Sequence, residues 1–457
     1  MIGKGEWFDL ISRTAKDLNN PALSIPESMR NYHVREDKYF AQVKSVDNKY
    51  IEYWRKVIIM LEVFADLHVH IGRSENNKPI KITAAKSLNF ANIAKECNER
   101  KGIDIVGIID CASPYVIEDI ESFLASGDAY EIKDGGIIYK DKVCIILGSE
   151  IETSEIGLNG KCGSAHNLCY FPHLSDIKAF SKEMSHHIHN ITLSSQRADI
   201  SAYELIDIVK KYNGVLIPAH CFTPYKSFYG NCTDRLEKIF KEKYKDIIAI
   251  ELGLSSDTYL ADMISELESK SFLTNSDAHS LPKIAREYNK LLVEDISFKE
   301  LIKAIKNEDG RKIITNYGLD PKLGKYHRTY CETCGKVIPG NAPIFKCDTC
   351  DSKNITMGVY DRIEVIKDKK TSKSPSFRPE YVYQIPLGFV PGLGSKAIEK
   401  LLSVFGNEMN ILHKVSKDDL EGVIGLKNAN NVILAREGKL DINAGGGGTY
   451  GKIEIKK

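Results

Sequence analysis

The stretch DLHVH, residues 66–70, ends the apolar run 63–69 and decides how the rest of the chain is interpreted. In a β-strand, residues i and i+2 point to the same side, so His68 and His70 present two imidazoles to one face. Two imidazoles on one face favour a Zn²⁺ or Mn²⁺ site. Asp66 falls on the same face and is expected to orient a ligand from behind. Taken alone, the motif leaves open a second interpretation, polar residues that merely end a strand.

The i, i+2 spacing recurs near residue 278, where Asp277 and His279 follow the apolar run 272–274. Glu150 follows the apolar run 143–147, and one carboxylate at this position is suited to bridge two metal ions, as paired-metal hydrolases require. Carboxylates combined with imidazoles suit Zn²⁺, Mn²⁺ or Fe²⁺. The pattern therefore predicts metal-dependent hydrolysis, and the sequence contains no Walker-type phosphate loop.

Seven short apolar runs alternate with longer amphipathic stretches between residues 61 and 318, which predicts an α/β fold with a parallel β/α architecture such as a barrel. The predicted strands are Val63–Val69, Ile103–Ile109, Val143–Leu147, Asn167–Phe171, Gly214–Pro218, Ile247–Leu252 and Phe272–Thr274. In such barrels the active site lies at the C-terminal ends of the strands. Polar residues that end these runs are His68, His70, Asp110, Glu150, His220, Glu251, Asp277 and His279, while His166 precedes one run.

The bulk composition is that of an ordinary globular chain, with 457 residues of which 42% are hydrophobic and 27% charged. No apolar stretch approaches the roughly 18–20 residues needed to span a membrane, and the start lacks a secretory signal, so we expect a cytoplasmic protein. From residue 319 onward, 22 Lys and Arg stand against 16 Asp and Glu. This basic excess is compatible with nucleic-acid binding and equally with a solvated basic face.

Four of the eleven cysteines form the pattern Cys331-x2-Cys334, twelve residues, Cys347-x2-Cys350. Two such knuckles make a closed tetrahedral Zn²⁺ site, which is structural because no position is left open for water. The sequence leaves open whether this module also binds nucleic acid.

The segment PGLG, residues 391–394, precedes a predicted helix and forms a tight hairpin whose backbone N–H groups are placed to cradle a phosphate. Gly392, Gly394 and Lys396 are the candidate DNA-binding residues of this hairpin, and 423–426 is a weaker second one. A helical turn closed by glycine remains the alternative. The glycine run 445–451 is either a ligand-approaching loop or a flexible linker.

The order of the strand-end residues resembles the PHP superfamily of polymerase and histidinol phosphatase domains over about residues 63–317. The resemblance implies a distorted (β/α)7 barrel with a trinuclear metal site. It places His68, His70, Glu150 and Asp277 on one metal, Glu150, His166 and His220 on a second, and His279 on a third, and it makes Asp277, His279 and Glu150 catalytic.

One motif departs from the family pattern. Members often carry Thr-Asp-His where this chain has IDCA at 109–112, so the expected His is absent. Asp110 is retained among the candidate metal ligands, and Cys111 is either a ligand or a buried small hydrophobe. The third metal position is therefore incomplete.

The module order, together with GLSSD at 253–257, PAHCFTP at 218–224, TNSDAHS at 274–280 and the glycine run, resembles the endonuclease Q family over about residues 61–457. That family cuts the phosphodiester 5′ to deaminated bases (uracil, hypoxanthine, xanthine) and abasic sites. The resemblance implies DNA as partner and two or three Zn²⁺ in the barrel plus one structural Zn²⁺, with Mg²⁺ or Mn²⁺ substituting or assisting. Contacts with replication or repair proteins stay open. Arg197 in the loop 194–197 is a candidate lesion or DNA contact, and a solvated loop is the alternative.

Two rival functions are kept open. One is a small-molecule phosphatase of the PHP type, which needs neither a zinc module nor a hairpin. The other is a non-catalytic DNA-binding adaptor with a decayed PHP site. The predicted organisation is an N-terminal extension of unknown role (1–60), the PHP phosphoesterase domain (61–318), the zinc module (319–366), a linker (367–384), the helix-hairpin-helix-like DNA-binding module (385–440) and a glycine-rich basic tail (441–457).

Overall fold

A computed structural model describes residues 60–156, 160 and 162–454 of this chain. The predicted N-terminal extension 1–60 lies outside the described residues except for Met60, and its role stays unassigned. No helix in the described ranges is long and apolar enough to cross a membrane. The cytoplasmic location stays a prediction.

Within these ranges the chain forms seventeen strands, all seven predicted ones among them. They are β1 Leu61–Val69, β2 Ile105–Ile108, β3 Ala129–Glu131, β4 Ile137–Tyr139, β5 Val143–Ile156, β6 Cys162–Phe171, β7 Val215–Pro218, β8 Ala249–Glu251, β9 Ser271–Leu273, β10 Tyr288–Val293, β11 Lys312–Gly318, β12 Tyr330–Cys331, β13 Lys336–Val337, β14 Ile355–Thr356, β15 Glu380–Tyr383, β16 Asp441–Asn443 and β17 Lys452–Glu454.

Twelve α-helices lie in the described ranges, and most begin at a residue whose side chain caps the free backbone N–H groups or at a glycine. They are α1 Phe90–Glu96, α2 Pro114–Ala125, α3 Leu174–Met184, α4 Ala202–Lys211, α5 Leu236–Phe240, α6 Thr258–Ala261, α7 Phe298–Lys306, α8 Val359–Ile366, α9 Ser395–Phe405, α10 Glu408–His413, α11 Lys417–Ile424 and α12 Leu426–Arg436. Ser201 and Glu204 form a capping box at the start of α4, as is typical of this pattern. The amphipathic stretch 259–270 forms the short α6 followed by a 3-10 turn at Ser265–Ser269.

The α/β class is confirmed, and the main sheet has ten strands of mixed direction. β1, β2 and β5 run parallel, as expected from the alternation of strands and helices. β6 instead pairs antiparallel with both β5 and β7, and β10 pairs antiparallel with β1. The reason is the short connection between β5 and β6, which permits a hairpin and not a parallel crossover.

The segment after β9 returns to β1, since Ala278 bridges to Val69 and its N–H donates to the carbonyl of His68 at 3.1 Å. β8 and β9 pair parallel with each other beside β7. One apolar cluster takes alternate residues of the sheet strands, for example Ala65, Ile146 and Ile217, and a second lies beneath the helices. The closed barrel itself stays a prediction. The ends of β1, β7, β8 and β9 meet near Glu150. Glu150 itself lies inside β5, because the strand continues past the predicted end at Leu147 to Ile156.

The four-cysteine segment folds around a three-stranded sheet with β12 between β13 and β14. The predicted linker 367–384 requires a correction, because Glu380–Tyr383 forms β15 and pairs with β11 at the edge of the main sheet. The side chains of β15 explain this pairing, since Tyr381 is only 4% exposed and packs in the core. The other module boundaries stay predictions.

The helical segment 385–440 contains α9 to α12 and packs against strands β1 and β10 of the main sheet. His413 stacks on Phe64 with ring centroids 4.7 Å apart, and its Nε2 lies 2.7 Å from the Tyr288 hydroxyl. Lys101 forms a buried ion pair with Glu408 at 2.7 Å. These buried contacts hold the helical segment against β1 and β10.

Candidate metal centre

The ends of β1 and the turn after β9 bring three predicted ligands together. Asp277 Oδ1 lies 3.5 Å from His68 Nε2 and 3.5 Å from His70 Nε2. Glu150 approaches the same nitrogens, with Oε1 3.7 Å from His68 and Oε2 3.7 Å from His70. Ligand atoms about 2.1 Å from one ion lie roughly 3–4 Å apart, so this geometry fits a single cation.

Glu150 also belongs to a second group with His166 and His220. Its Oε1 lies 2.7 Å from His166 Nδ1 and 3.5 Å from His220 Nε2. In the described part of the chain, the buried nitrogens His68 Nε2, His166 Nδ1 and His166 Nε2 have no hydrogen-bond partner of proper geometry. Buried imidazole nitrogens without a hydrogen bond fit metal ligands, because they would otherwise cost free energy.

His279 completes a third group with His70 and Asp277, whose ligand atoms all lie within 4.8 Å of one another. Burial lowers the pKa of His279 to about 4, so its imidazole is neutral and has a free lone pair at neutral pH. However, His70 and Asp277 are already shared with the first group. The third position therefore has one ligand of its own, His279.

The predicted ligand Asp110 lies behind His70 and is absent from the three strand-end groups. Its Oδ2 accepts hydrogen bonds from His70 Nδ1 at 3.1 Å and from the N–H of Ile71 at 2.6 Å. The thiol of Cys111 donates to the carbonyl of Ile108 at 3.1 Å, and burial raises its pKa well above the ordinary range. Cys111 is fully buried and belongs to none of the ligand groups of the described residues, so the geometry favours the buried hydrophobe of the two interpretations.

Glu251 accepts a hydrogen bond from the Nδ1 of His68, as Asp110 does from the Nδ1 of His70. Its Oε1 accepts from His68 Nδ1 at 2.9 Å and from the side chain of Asn275 at 2.9 Å. Its Oε2 accepts from the N–H of His220 at 2.8 Å. A carboxylate behind a ligating imidazole fixes its tautomer and orientation. The sequence shows that Glu251 lies near the end of a predicted strand, but it does not distinguish a metal ligand from a residue that orients one.

The electrostatics of the site favour cations. Burial opposes protonation of His68, but Glu251 and Asp277 outweigh it and raise the His68 pKa to about 10. Burial also opposes ionisation of Glu150 and Asp277, yet the neighbouring imidazoles, with Lys81 beside Glu150, hold both carboxyl pKa values well below their usual range. Both carboxyl groups are therefore ionised at neutral pH, and divalent cations would balance their negative charge.

The Asp277 turn has an unusual backbone, with Asp277 at φ +46° in the left-handed region. Asp66 acts on this turn and not on a ligand side chain, because its carboxylate accepts from the N–H groups of Ser276 at 3.0 Å and Ala285 at 2.8 Å. Arg286 holds the same turn from the carbonyl side. The predicted orienting role of Asp66 is thus carried out through the backbone.

Lys81 was not predicted from the sequence, and Ser195 was expected only as part of the candidate lesion-contacting loop 194–197. Lys81 is largely buried, and its Nζ donates to Glu150 Oε2 at 3.2 Å and to Ser195 Oγ at 2.5 Å. The Ser195 hydroxyl also hydrogen-bonds Glu150, and Ser195 lies at φ +52°. Neither residue ends a predicted strand, so no local pattern marks them.

Arg197 lies in the same loop as Ser195, and its exposed guanidinium forms two hydrogen bonds to Glu152 Oε1, at 2.9 and 2.6 Å. Lys226 binds the other oxygen of Glu152 at 2.9 Å. The predicted DNA contact Arg197 is therefore engaged with Glu152. Its role toward DNA stays a prediction.

The four predicted zinc ligands converge on one point. Cys331 Sγ lies 3.5 Å from Cys350 Sγ, and Cys334 Sγ lies 3.7 Å from Cys347 Sγ. Four sulfurs about 2.3 Å from one Zn²⁺ would be about 3.8 Å apart, so the spacing fits. Backbone N–H groups of Cys350 and Thr349 lower the pKa of Cys347 to about 6, which favours its ligating thiolate form.

The hairpin at 391–394 lies on the surface. Gly392 adopts φ +87°, and Gly394 caps α9 without a side-chain hydrogen bond. Gly392, Gly394 and Lys396 are all exposed. This first hairpin has a 3-10 turn, Leu387–Phe389, on one side and the helix α9 on the other. The second hairpin, at Gly425, has an α-helix on both sides, α11 and α12.

No family model matches the chain, but individual proteins are similar to it over most of its length. The protein YqxK of Bacillus subtilis is 46% identical over 396 residues, which cover 86% of this chain and 100% of YqxK. MJ0043 of Methanocaldococcus jannaschii is 40% identical over 257 residues, and this chain covers 32% of that longer protein.

Two solved structures share the fold over nearly their whole length. The lesion-specific endonuclease PfuEndoQ of Pyrococcus furiosus superposes with a TM-score of 0.73 and 32% identity, covering 87% of this chain and 96% of that one. An endonuclease Q in complex with a 27-mer duplex carrying an abasic lesion at the active site gives 0.72 and 33%, covering 87% and 97%. The chain therefore belongs to the endonuclease Q family.

Proposed function

We propose that this protein is a DNA-repair endonuclease that hydrolyses the phosphodiester 5′ to deaminated bases, namely uracil, hypoxanthine and xanthine, and to abasic sites. The observation that carries the proposal is the strand-end cluster around Glu150, in a chain that covers 97% of an endonuclease Q solved with abasic DNA at its active site. The cluster offers ligand groups for two cations, and His279 adds one ligand for a third.

The metal identity belongs to this proposal. Mixed imidazole and carboxylate groups suit Zn²⁺, with Mn²⁺ or Mg²⁺ substituting or assisting, while four thiolates select Zn²⁺. When bound, the cations of the cluster supply Lewis-acid charge and lower the pKa of water for attack on a phosphodiester. We assign Glu150, Asp277 and His279 as the catalytic residues.

The surrounding side chains set up the chemistry. Asp110 and Glu251 hold the rings of His70 and His68 in a fixed tautomer. Lys81 keeps a buried positive charge beside Glu150, where the oxygens of a bound phosphate would need neutralisation. The neutral imidazole of His279 is available at the rim, where it is 28% exposed.

DNA binding is supported by the helical segment. No side chain of the N-cap residue Gly394 caps the start of α9, whose first N–H groups follow an exposed glycine hairpin, a geometry that suits a backbone phosphate. Lys396 adds charge beside it, and the second hairpin at Gly425 offers a similar turn. Damaged or unpaired bases cost least to extrude from a duplex, which fits selection of deaminated and abasic positions.

The test is cleavage of end-labelled duplexes that contain one uracil, one hypoxanthine or one abasic site, with Mn²⁺ or Mg²⁺. We expect one cut 5′ to the lesion and none in undamaged DNA. Asp277→Asn should abolish the cut, while Asp128→Asn, a change at an exposed aspartate outside the cluster, should leave it unchanged.

Two outcomes would contradict the proposal. Hydrolysis of a small phosphate monoester without cleavage of DNA would identify a phosphatase. DNA binding without any cleavage, with about one zinc per chain held by the cysteines, would identify an adaptor with a decayed cluster.

A further inference from the structure

The glycine run 445–451 is not a free linker, because its backbone is bound along the segment that leads from the main sheet to the four-cysteine group. The N–H of Gly445 donates to the carbonyl of Lys322 at 2.6 Å. The N–H of Gly451 donates to the carbonyl of Leu323 at 3.0 Å. The loop is therefore seated on the protein through its main chain.

Glycine is required in this loop by close approach. A Cβ on Gly447, at φ +58°, would lie 2.2 Å from a ring carbon of Tyr330. A Cβ on Gly446 would lie 2.6 Å from the side chain of Val337. Tyr330 and Val337 belong to β12 and β13. The loop thus packs directly on the four-cysteine module, and the absence of side chains allows that contact.

The loop ends at Tyr450, whose ring lies 4.7 Å from Lys325 Nζ and whose hydroxyl accepts a hydrogen bond from Arg286 Nη1 at 2.8 Å. Arg286 is 5% exposed. Its other two nitrogens donate to the turn after β9: Nε to the carbonyl of Ser276 at 2.6 Å and Nη2 to that of Asp277 at 3.2 Å. One guanidinium therefore joins the C-terminal loop to the turn that carries the shared ligand Asp277.

We propose that Tyr450 is a positioning residue for the metal centre, which acts through Arg286 to fix the turn that presents Asp277 and His279. Asp277 adopts a left-handed backbone conformation that a non-glycine residue rarely takes, so the turn depends on external contacts to hold it. Asp66 holds its N–H side, and Arg286 holds its carbonyl side. This inference rests on the proposed assignment of Asp277 as a metal ligand.

The physical consequence concerns metal affinity. Without the Tyr450 hydroxyl, Arg286 keeps its charge but loses the partner that orients one end of its planar fork. The turn then samples more conformations, and the carboxylate of Asp277 reaches the ligand position less often. Loss of a partner that orients a ligand weakens metal affinity by about 10- to 100-fold in proteins.

The test is a Mn²⁺ titration of the full-length protein, with the four-cysteine group loaded with Zn²⁺ and the strand-end cluster emptied by a chelator. Free Mn²⁺ is read by electron paramagnetic resonance. We expect Tyr450→Phe to weaken Mn²⁺ binding by about 10-fold, with an unchanged thermal midpoint, and cleavage of abasic DNA to recover at saturating Mn²⁺. Arg286→Lys should weaken binding at least as much.

Tyr330→Phe is the matched control, since it removes a nearby hydroxyl that does not contact Arg286 and should bind Mn²⁺ as the unaltered chain does. Unchanged Mn²⁺ affinity in both Tyr450→Phe and Arg286→Lys would overturn the inference, as would loss of cleavage by Tyr450→Phe that saturating Mn²⁺ does not restore. If the unaltered chain binds Mn²⁺ but cuts no DNA, the proposed function fails, while the affinities still decide the role of Tyr450.

Discussion

The candidate ligands of the four-cysteine group come from one stretch of chain, Cys331 to Cys350, whereas those of the strand-end cluster are spread from His68 to His279. In the cysteine group, backbone N–H groups within each knuckle lower the pKa of its first thiol, Cys331 in one and Cys347 in the other. In the strand-end cluster, buried carboxylates such as Glu251 and Asp110 orient the ligands from other strands. A local site can therefore organise itself around its metal, while the distributed site depends on the folded sheet.

The largest expected effect tests the local site. Cys347→Ser should lose one Zn²⁺ per chain, and because zinc binding supplies roughly 10 kcal/mol of local folding free energy in such modules, the sheet of β12, β13 and β14 should unfold locally. Zinc content and limited proteolysis between residues 328 and 358 measure this. Cys162→Ser, an exposed cysteine outside the group, is the control. A fully zinc-loaded variant would contradict the ligand assignment.

The next effect tests the distributed site. Glu150→Gln removes the carboxylate that two ligand groups share, so cleavage of abasic DNA should fall by more than about 100-fold, beyond the loss typical of an orienting residue. The fold should persist, because the sheet and not the metal organises this site. Circular dichroism and metal content are measured alongside the rate. Glu118→Gln, at an exposed glutamate of α2, should behave as the unaltered chain.

An intermediate effect separates ligands from their supports. Glu251→Gln leaves all ligands in place but cannot accept from His68, Asn275 and the His220 N–H at once. We expect metal affinity to fall by about 10- to 100-fold, with cleavage restored by excess metal. Exposed Glu237→Gln serves as the comparison. A loss that excess metal does not restore would make Glu251 a direct participant.

The smallest effect concerns stability against pH. Burial raises the pKa of Glu287 to about 8, and its Oε2 has no hydrogen-bond partner among the described residues. Between the ordinary glutamate pKa and pH 8, the folded state binds more protons here than the unfolded state. The free energy of unfolding should therefore fall as pH rises through this window, by up to about 1.4 kcal/mol per pH unit.

Thermal midpoints between pH 5 and 9 check this dependence. Glu287→Gln, which has no carboxyl to ionise, should flatten the decline. Lys306→Gln, at an exposed lysine of α7, should keep it. An equally steep decline in Glu287→Gln would assign the pH dependence to other groups.

Much of the site was open to prediction because most of its candidate ligands follow apolar runs of the sequence, although Glu150 and His166 lie inside β5 and β6. The runs before His68, Glu150 and Asp277 mark buried strands, and the i, i+2 spacing fixes which side chains share a face. The cysteine spacing, the helices after residue 385 and the α/β class follow in the same way from local patterns. The predicted order of the modules carried the resemblance to the endonuclease Q family, and the comparisons confirm that family.

The amino-acid sequence by itself determined the ligand types, the cysteine module and the family, because these depend on residue identity and spacing along the chain. Only the tertiary structure decided that β6 runs antiparallel, that Glu380–Tyr383 joins the main sheet, and that Asp110 supports His70. It also decided that Lys81 and Arg286 reach the centre. The physical reason is that strand direction and side-chain contacts arise from packing between segments far apart in the chain, which no local pattern encodes.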